Sequence, residues 1–351
     1  MAHRNFSMVD YFNRLAAEHE PELSFRGSTR DEWQAWHGAA RARLEELLGP
    51  RPAKVDPAAE VVYSVEEDGL VRERIVLDTE RHMSMPCVLL RAAGMRSDGS
   101  NPAILCSHGH GTFGKEPVAG NRTTAALRAD IEQMNYDYAA QMARRGYVTL
   151  SPDLRVFGER GGGAAKSYPG RDQCNIHFLR GMILGVHTLA LNVHDMGCAI
   201  DYLQTRPEVD PERIGMMGLS QGGTMTAFTT AVEDRIKAAD VIGYAGSWRG
   251  FGIREGNFCG SQVVPGIFRY LDVSDVIGLA SPRPLLMEAG VHDTCFRIDE
   301  MLPAARRVEG IYRAAGAGEH FHLEVHPGEH AFAGGQAFEF FDRFLKGSPA
   351  P

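Results

Sequence analysis

The chain has 351 residues, of which 44% are hydrophobic and 23% are charged, the composition of a globular protein with a substantial core. Its formal net charge of -8, with no long stretch rich in Lys or Arg, argues against a nucleic-acid partner. The sequence opens without the basic-then-apolar pattern of a signal peptide, and no window approaches the roughly 20 apolar residues that span a bilayer. We therefore expect a cytoplasmic protein with no membrane partner that acts on a small molecule.

The cysteines are scattered along the chain without the paired spacing of a zinc site or a disulfide framework. We expect them to be reduced and mostly buried, and we expect no bound metal. The six positions are Cys87, Cys106, Cys174, Cys198, Cys259 and Cys295.

Residues 1–55 are predicted to form a helical appendage to a main domain that spans residues 56–351. Ser28 and Asp31 have the spacing of a capping box, and Gly49 ends the apolar repeat that follows. We expect an amphipathic helix that packs against the main domain; a contact between copies in a homo-oligomer is the alternative. The repeat comprises Trp33, Trp36, Ala40, Leu44 and Leu47.

The main domain begins with three β-rich stretches between about residues 60 and 92, joined by short turns, which indicate an antiparallel meander. Apolar strands without alternation then follow, separated by helical segments. They are PAILC, YVTLSPD, RIGMMGL, IKAADVIGYAG, RPLLMEAG and HFHLEVHPG. This pattern predicts an α/β fold with a mainly parallel sheet covered by helices on both faces. In such sheets functional residues collect at the carboxyl ends of the strands.

Ser220 lies in the segment GLSQGG (218–223), where an apolar strand must turn sharply into a helix. The G-x-S-x-G pattern alone is weak, and its position between strand and helix is what makes it informative. Side chains at Gly218 and Gly222 would clash in so tight a turn. We interpret Ser220 as a nucleophile; a small residue in a glycine-rich turn is the structural alternative.

A serine nucleophile needs a base and an orienting acid, which in this chain order follow it on later strands. Asp293 follows the strand RPLLMEAG, and His330 follows the last strand. We assign His330 as the base and Asp293 as the residue that fixes its tautomer. Glu288 lies inside its strand and is expected to point into the core or towards a neighbour. The other rivals are Asp272, Asp275, His322 and His326.

The tetrahedral oxyanion needs two backbone donors. The amide of Gln221 begins the helix after the nucleophile, and the loop SHGHGTFG (107–114) offers the amide of His110, with Gly111 as the alternate. In the alternative interpretation, His108 and His110 only support the loop. We set aside a metal at these histidines, because no cysteine or acidic residue lies beside them in the sequence, and likewise between His326 and His330.

The ordered set HGHG (108–111), SPDLRVFGER (151–160), GLSQGG (218–223), GVHDTCF (290–296) and GEHAF (328–332) resembles the α/β-hydrolase superfamily. Within it, the chain is similar to dienelactone-hydrolase-like and acetyl-xylan-esterase-like proteins over nearly its whole length. The resemblance implies the α/β-hydrolase fold and a Ser-His-Asp triad.

Two departures from these families concern the substrate. Dienelactone hydrolase proper has a cysteine nucleophile where this chain has Ser220. The carbohydrate acetyl esterases carry an R-G-Q segment and a Glu after the catalytic His, where this chain has Arg155-Val156-Phe157 and Ala331.

Specificity in this fold usually lies in insertions over the strand ends, and residues 155–181 and 247–272 are the candidates. We expect Trp248 and Arg249 to line the substrate pocket, with Leu219 beside the nucleophile; in the alternative, the aromatic residues of the second insertion only anchor a long lid. Arg155, a further candidate for substrate binding, Arg160 and Glu159 either line the pocket or brace the loop.

Together these residues predict a serine hydrolase that cleaves a carboxylic ester of a small molecule through an acyl-enzyme, without a cofactor. An acetylated sugar or an aromatic ester is compatible with the motifs. The same triad could act on a carbon–carbon bond, an amide or a thioester. A non-catalytic hydrolase fold that binds a ligand is the alternative of another class.

Overall fold

The computed structural model of the protein describes residues 4–161 and 172–347. The strands of the described ranges are β1 (Glu60–Glu67), β2 (Leu70–Glu80), β3 (Met83–Ala92), β4 (Asn101–Ser107), β5 (Val148–Pro152), β6 (Val209–Leu219), β7 (Ile236–Ile242), β8 (Leu285–Gly290) and β9 (Phe321–His326). The α-helices of the same ranges are α1 (Met8–Glu18), α2 (Arg30–Leu48), α3 (Lys115–Val118), α4 (Ala125–Met134), α5 (Tyr138–Arg144), α6 (Gln173–Leu184), α7 (Thr188–Thr205), α8 (Gln221–Val232), α9 (Val273–Gly278), α10 (Ile298–Ala314) and α11 (Ala337–Phe341). The same ranges also contain two π-helical turns, Trp248–Arg254 and Asp342–Lys346, and three short 3-10 helices, Gly158–Arg160, Ile267–Arg269 and Gly318–His320.

The nine strands form one sheet in the order β1-β2-β3-β5-β4-β6-β7-β8-β9. β1, β2 and β3 pair antiparallel, as the predicted meander requires, and β3 pairs antiparallel with β5. From β5 to β9 every neighbouring pair is parallel. The prediction of a mainly parallel sheet is confirmed, and its carboxyl ends meet at one edge.

Helices cover both faces of the sheet. Successive residues of each central strand point to opposite faces, so the apolar strands contribute side chains to two separate cores. On β4, Leu105 enters the apolar core beneath α2, α7, α8, α9 and α10, while Ile104 enters the core beneath α5 and α11. Strands buried on both sides explain the apolar runs without alternation.

The amphipathic helix predicted in the N-terminal appendage is α2, and it packs on the first of these cores. Its buried residues Ala40 and Leu44 belong to that core, and the indole of Trp33 donates to Ser281 Oγ at 2.9 Å. The predicted capping box is wrong by one residue, because the N-cap is Thr29 and its reciprocal partner is Glu32. The Glu32 carboxylate accepts from the Thr29 amide at 3.0 Å and also from the Ser28 amide at 2.9 Å, so it takes up the amides of both candidate cap residues.

No single helix in the part of the chain that the structure describes is long and apolar enough to span a bilayer. α6 and α7 meet the length and composition required only as a pair, and the chain bends by 94° between them.

Two carboxyl groups, those of Asp240 on β7 and Glu288 on β8, are fully buried below the carboxyl edge of the sheet. Burial, reinforced by the nearby carboxyl groups, raises the pKa of Asp240 well above its ordinary value. Burial also raises the pKa of Glu288 to about 8, against the hydrogen bond that it accepts from the Ala333 amide. That bond, at 2.8 Å, anchors the segment that follows His330. Glu288 therefore lies in the core, as its place inside the strand predicted.

We predict that Glu288→Gln reduces the loss of stability as pH rises. A carboxyl group whose pKa is raised on folding contributes stability below its unfolded value, near 4.5, and loses it as pH rises through the folded value of about 8. Glutamine does not titrate, yet its oxygen can still accept from Ala333. Melting temperatures measured across this pH interval should fall less in Glu288→Gln than in the native protein. Glu18→Gln, on the exposed side of α1, should follow the native curve; a Glu288→Gln curve parallel to the native one would contradict the assignment.

Candidate active site

The candidate nucleophile Ser220 is the single residue between β6 and α8, and its backbone is strained. Its φ of 63° and ψ of -116° lie in a region that costs a non-glycine residue about 1–3 kcal/mol. A Cβ on Gly222 would lie 2.2 Å from the Ser107 carbonyl oxygen, and one on Gly218 would lie 2.6 Å from the Gly222 carbonyl. Only glycine fits either position, as the sequence predicted, so the turn holds Ser220 above the end of the sheet.

Asp293 and His330 come together at the ends of β8 and β9. The Asp293 Oδ2 atom lies 2.7 Å from His330 Nδ1. Its Oδ1 atom accepts from the amides of Cys295 and Phe296 at 2.7 and 2.8 Å. The carboxylate is almost completely buried, so these bonds fix its direction, and its remaining oxygen orients the imidazole.

The His330 ring lies against Gly243, the residue after β7. A Cβ on Gly243 would come within 3.2 Å of the ring, and Phe296 stacks on the ring with centroids 5.9 Å apart. The Ser220 amide donates to Ile242, next to Gly243, so the elbow and the imidazole meet at the end of β7. His330 Nε2 is buried and makes no hydrogen bond within the described ranges. A general base needs this nitrogen free to take a proton. In structures without substrate, the hydrogen bond between base and nucleophile is often long, and it tightens only when substrate is bound.

The loop 107–114 passes directly over the elbow. A Cβ on Gly109 would lie 3.3 Å from the Ser220 Cβ. His108 is fully buried and supports the loop, because its Nδ1 lies 2.7 Å from the Gly109 carbonyl and its Nε2 accepts from the Leu154 amide at 2.9 Å. Burial lowers the pKa of His108, which favours this neutral tautomer.

The candidate oxyanion donors lie on the two sides of Ser220. Gln221 is the first residue of α8, so its amide has no carbonyl partner inside the helix. His110 and Gly111 follow the close approach at Gly109, and His110 is exposed. The arrangement brings a helix start and a glycine-rich loop, two common sources of backbone amide donors, to the candidate nucleophile.

The rival acids and histidines have structural contacts. Asp272 and Asp275 form the capping box of α9, and Asp272 also accepts from the Trp248 amide at 2.9 Å. His326 accepts from the Gly328 amide, and His322 packs edge-on against Phe340. None of these contacts points to the Ser220 elbow.

The arginines predicted for the pocket are occupied elsewhere. Arg155 forms two hydrogen bonds of 2.8 Å with the buried Asp195 and an ion pair of 2.7 Å with Glu80. Arg249 donates to the His19 carbonyl at 2.8 Å, on the N-terminal segment. Both guanidinium groups therefore bond protein acceptors, and substrate contact by these two side chains stays a prediction.

The neighbouring charged residues also brace the loop. Arg160 pairs with Asp195 at 2.8 Å, and Glu159 pairs with Lys115 at 2.6 Å. Lys115 is itself fully buried and bonds Asp153 at 2.9 Å. Of the two interpretations open for Arg160 and Glu159, the bracing role matches these contacts.

Leu219 and Trp248 are both buried. Leu219 packs in the core below Gly243, and Trp248 packs on Phe258 with ring centroids 4.8 Å apart. Trp248 lines an apolar cavity of about 560 Å³ between the insertion 247–272 and α1. Of the other insertion, 155–181, residues 162–171 lie outside the described residues.

Sequence reasoning missed a cluster beside the oxyanion loop. His110, Cys174 and Cys259 bring their ligand atoms within 4.8 Å of one another, and we call them the thiol cluster. A hydrogen bond with Cys174, opposed by burial and supported by His110, lowers the pKa of the Cys259 thiol to about 5. Their positions in the sequence gave no signal, because the cysteines lie in two separate insertions.

The strand order, the elbow and the residues at the strand ends define an α/β-hydrolase fold. A "putative acetyl xylan esterase" from Bacteroides fragilis superposes with a TM-score of 0.75 and 16% identity, over 92% of this chain and 83% of its own. A glucuronoyl esterase from Solibacter usitatus superposes with a TM-score of 0.65 and 15% identity, over 93% of this chain and 96% of its own.

The family follows from the sequence match. The model of the dienelactone hydrolase family matches residues 130–338, more than half of the chain. The chain belongs to the dienelactone hydrolase family, and with it to the carboxylic ester hydrolases. It is also 26% identical to "Putative hydrolase YtaP" of Bacillus subtilis over 287 residues, which cover 80% of this chain and 89% of that protein.

We predict that Gly222→Ala destabilises the protein by about 1–3 kcal/mol, because the added methyl group must displace the Ser107 carbonyl. Gly310→Ala is the matched control: Gly310 lies in α10 with open space around it, so alanine should stabilise the helix by about 0.5–1 kcal/mol. Urea unfolding measures both. Equal effects of the two substitutions would show that the elbow tolerates a side chain.

Proposed function

We propose that the protein is a serine esterase that uses Ser220, His330 and Asp293 as a catalytic triad. The observation that carries the proposal is the 2.7 Å contact between Asp293 and His330, with His330 Nε2 free of hydrogen bonds beside the strained Ser220 elbow. Asp293 holds the proton on Nδ1, so that Nε2 is the basic nitrogen. A base presented to a serine on such a turn is the arrangement that acyl transfer needs.

In the first half-reaction, Ser220 Oγ attacks the ester carbonyl while His330 Nε2 takes its proton. The tetrahedral oxyanion accepts hydrogen bonds from the amides of Gln221 and His110. The intermediate then expels the alcohol, which receives the proton from His330. In the second half-reaction, water attacks the acyl-enzyme with His330 as base, and the free acid leaves.

We expect the substrate to be an ester without a negative charge. Arg155 and Arg249, the two arginines considered for the substrate pocket, are bonded to protein acceptors. An acetylated sugar meets this condition, and the similarity in fold to a "putative acetyl xylan esterase" supports testing it first. An ester of an uncharged aromatic acid is the second substrate to test.

We expect a fluorophosphonate to form one covalent adduct with the native protein and none with Ser220→Ala, because only an activated serine attacks phosphorus. Intact-mass spectrometry measures the adduct. Ser84→Ala, which removes an exposed hydroxyl on β3, should retain it. An adduct that persists in Ser220→Ala would place the nucleophile elsewhere. Folded native protein that forms none would favour the non-catalytic binding function.

We expect Asp293→Asn to lower kcat for a short chromogenic acetyl ester by about 10⁴-fold, since the wrong imidazole tautomer then faces Ser220. Asp272→Asn tests the rival carboxyl group, which caps α9 instead. A loss in Asp272→Asn as large as that in Asp293→Asn would contradict the assignment.

The reaction class has its own test. If the protein hydrolyses an amide or a thioester but no ester, the same triad would be assigned to that other reaction instead of ester hydrolysis.

A further inference from the structure

The thiol cluster brings one imidazole nitrogen and two sulfurs within 4.8 Å of one another. Cys174 Sγ and His110 Nε2 are 3.3 Å apart. A tetrahedral zinc ion, with bonds of about 2.3 Å to sulfur and about 2.0 Å to nitrogen, separates its ligand atoms by roughly 3.5–3.8 Å. The ligand atoms of the thiol cluster are separated by 3.3 Å at one pair and by no more than 4.8 Å at the others, on either side of this range. Small rotations of the three side chains would therefore bring them to the spacing that one ion requires.

We propose that His110, Cys174 and Cys259 bind one Zn²⁺ ion beside the candidate active site. Thiolate and imidazole together form a soft ligand set that zinc prefers. Cys174 is buried, Cys259 is partly buried and His110 is exposed, so the site is closed on one side and open on the other. Three protein ligands leave the fourth position to water or another exchangeable ligand.

The chain around the cluster is already packed in place. Gly260 follows Cys259 in the chain, and Asn175 follows Cys174. The Gly260 amide donates to Asn175 Oδ1 at 3.0 Å. A Cβ on Gly260 would lie 2.2 Å from the Phe178 Cβ, so the two insertions touch closely there. This packing holds both thiols near His110 before any ion arrives, which reduces the ordering that binding requires.

The ion would join the three segments that surround the elbow. His110 lies on the oxyanion loop, and Cys174 and Cys259 lie on the insertions 155–181 and 247–272. The Cys259 segment is also linked to α8, because the Gln221 side chain donates to the Ser261 carbonyl at 3.1 Å. Zinc at the cluster thus fixes the positions of both candidate oxyanion donors through their neighbours.

Binding requires both sulfurs to be thiolates and the His110 nitrogen to be unprotonated. Any proton that still resides on Cys174, Cys259 or His110 Nε2 passes to solvent when the metal bonds form. No electron is transferred, and no bond other than the bonds to hydrogen and zinc changes. Affinity should therefore fall as pH is lowered.

The test uses the full chain, reduced and stripped of metal, titrated with Co²⁺ as a spectroscopic substitute for zinc. We expect one equivalent to bind, with the absorption of tetrahedral cobalt and of cobalt–thiolate charge transfer, and Zn²⁺ to displace it. Cys259→Ser and Cys174→Ser should each weaken binding at least about 100-fold, since losing even an outer partner of a ligand costs about 10- to 100-fold. His110→Gln, at the exposed ligand, should do the same without disturbing the buried core.

Cys198→Ser is the matched control. Cys198 Sγ lies 3.6 Å from His194 Nε2, and this cysteine–histidine pair has no second thiol beside it within the described ranges. Its replacement should leave cobalt binding unchanged. Ser220→Ala should also bind cobalt normally, so the outcome is independent of the proposed esterase activity. No thiolate absorption in the reduced native protein, or absorption that survives all three ligand substitutions, would overturn the proposal.

Discussion

The close approach of the end of β4 to the start of α8 is the constraint on which the candidate site depends. The Ser107 carbonyl occupies the space that a side chain on Gly222 would need, and a Cβ on Gly109 would lie 3.3 Å from the Ser220 Cβ. Tyr138 donates to the same Ser107 carbonyl from below. Because these backbones touch without side chains between them, the strained turn at Ser220 and the loop above it can hold only one relative position.

The sequence was sufficient where local chemistry and chain order carry the information. Apolar runs identified the parallel strands, and glycines around Ser220 identified the elbow. It failed where contacts join distant residues. The Arg155 guanidinium meets Asp195, 40 residues away, and Cys174 meets His110, 64 residues away, with no pattern in either pairing. The misplaced cap arose differently, because two overlapping capping patterns, Ser28–Asp31 and Thr29–Glu32, fit the same stretch of sequence and the structure uses the second.

The buried charged side chains near the strand ends pair with one another and hold the loops in place. Arg155 and Lys115 each bond at least two carboxylates, and Asp195 and Asp153 are completely buried. Removing one partner from such a pair leaves an uncompensated charge and is strongly destabilising. These pairs therefore brace the loops at the strand ends.

The contact between α1 and the insertion 247–272 has a consequence for how the molecule is divided. Arg249 bonds the chain just after α1, and His19 bonds the Phe268 carbonyl at 2.7 Å. The segment that ends α1 is therefore tied to the insertion 247–272, which carries Cys259, by two hydrogen bonds at His19. The predicted boundary at residue 55 divides the sequence, but these contacts cross it, so removing the residues up to His19 would take away two anchors of that insertion.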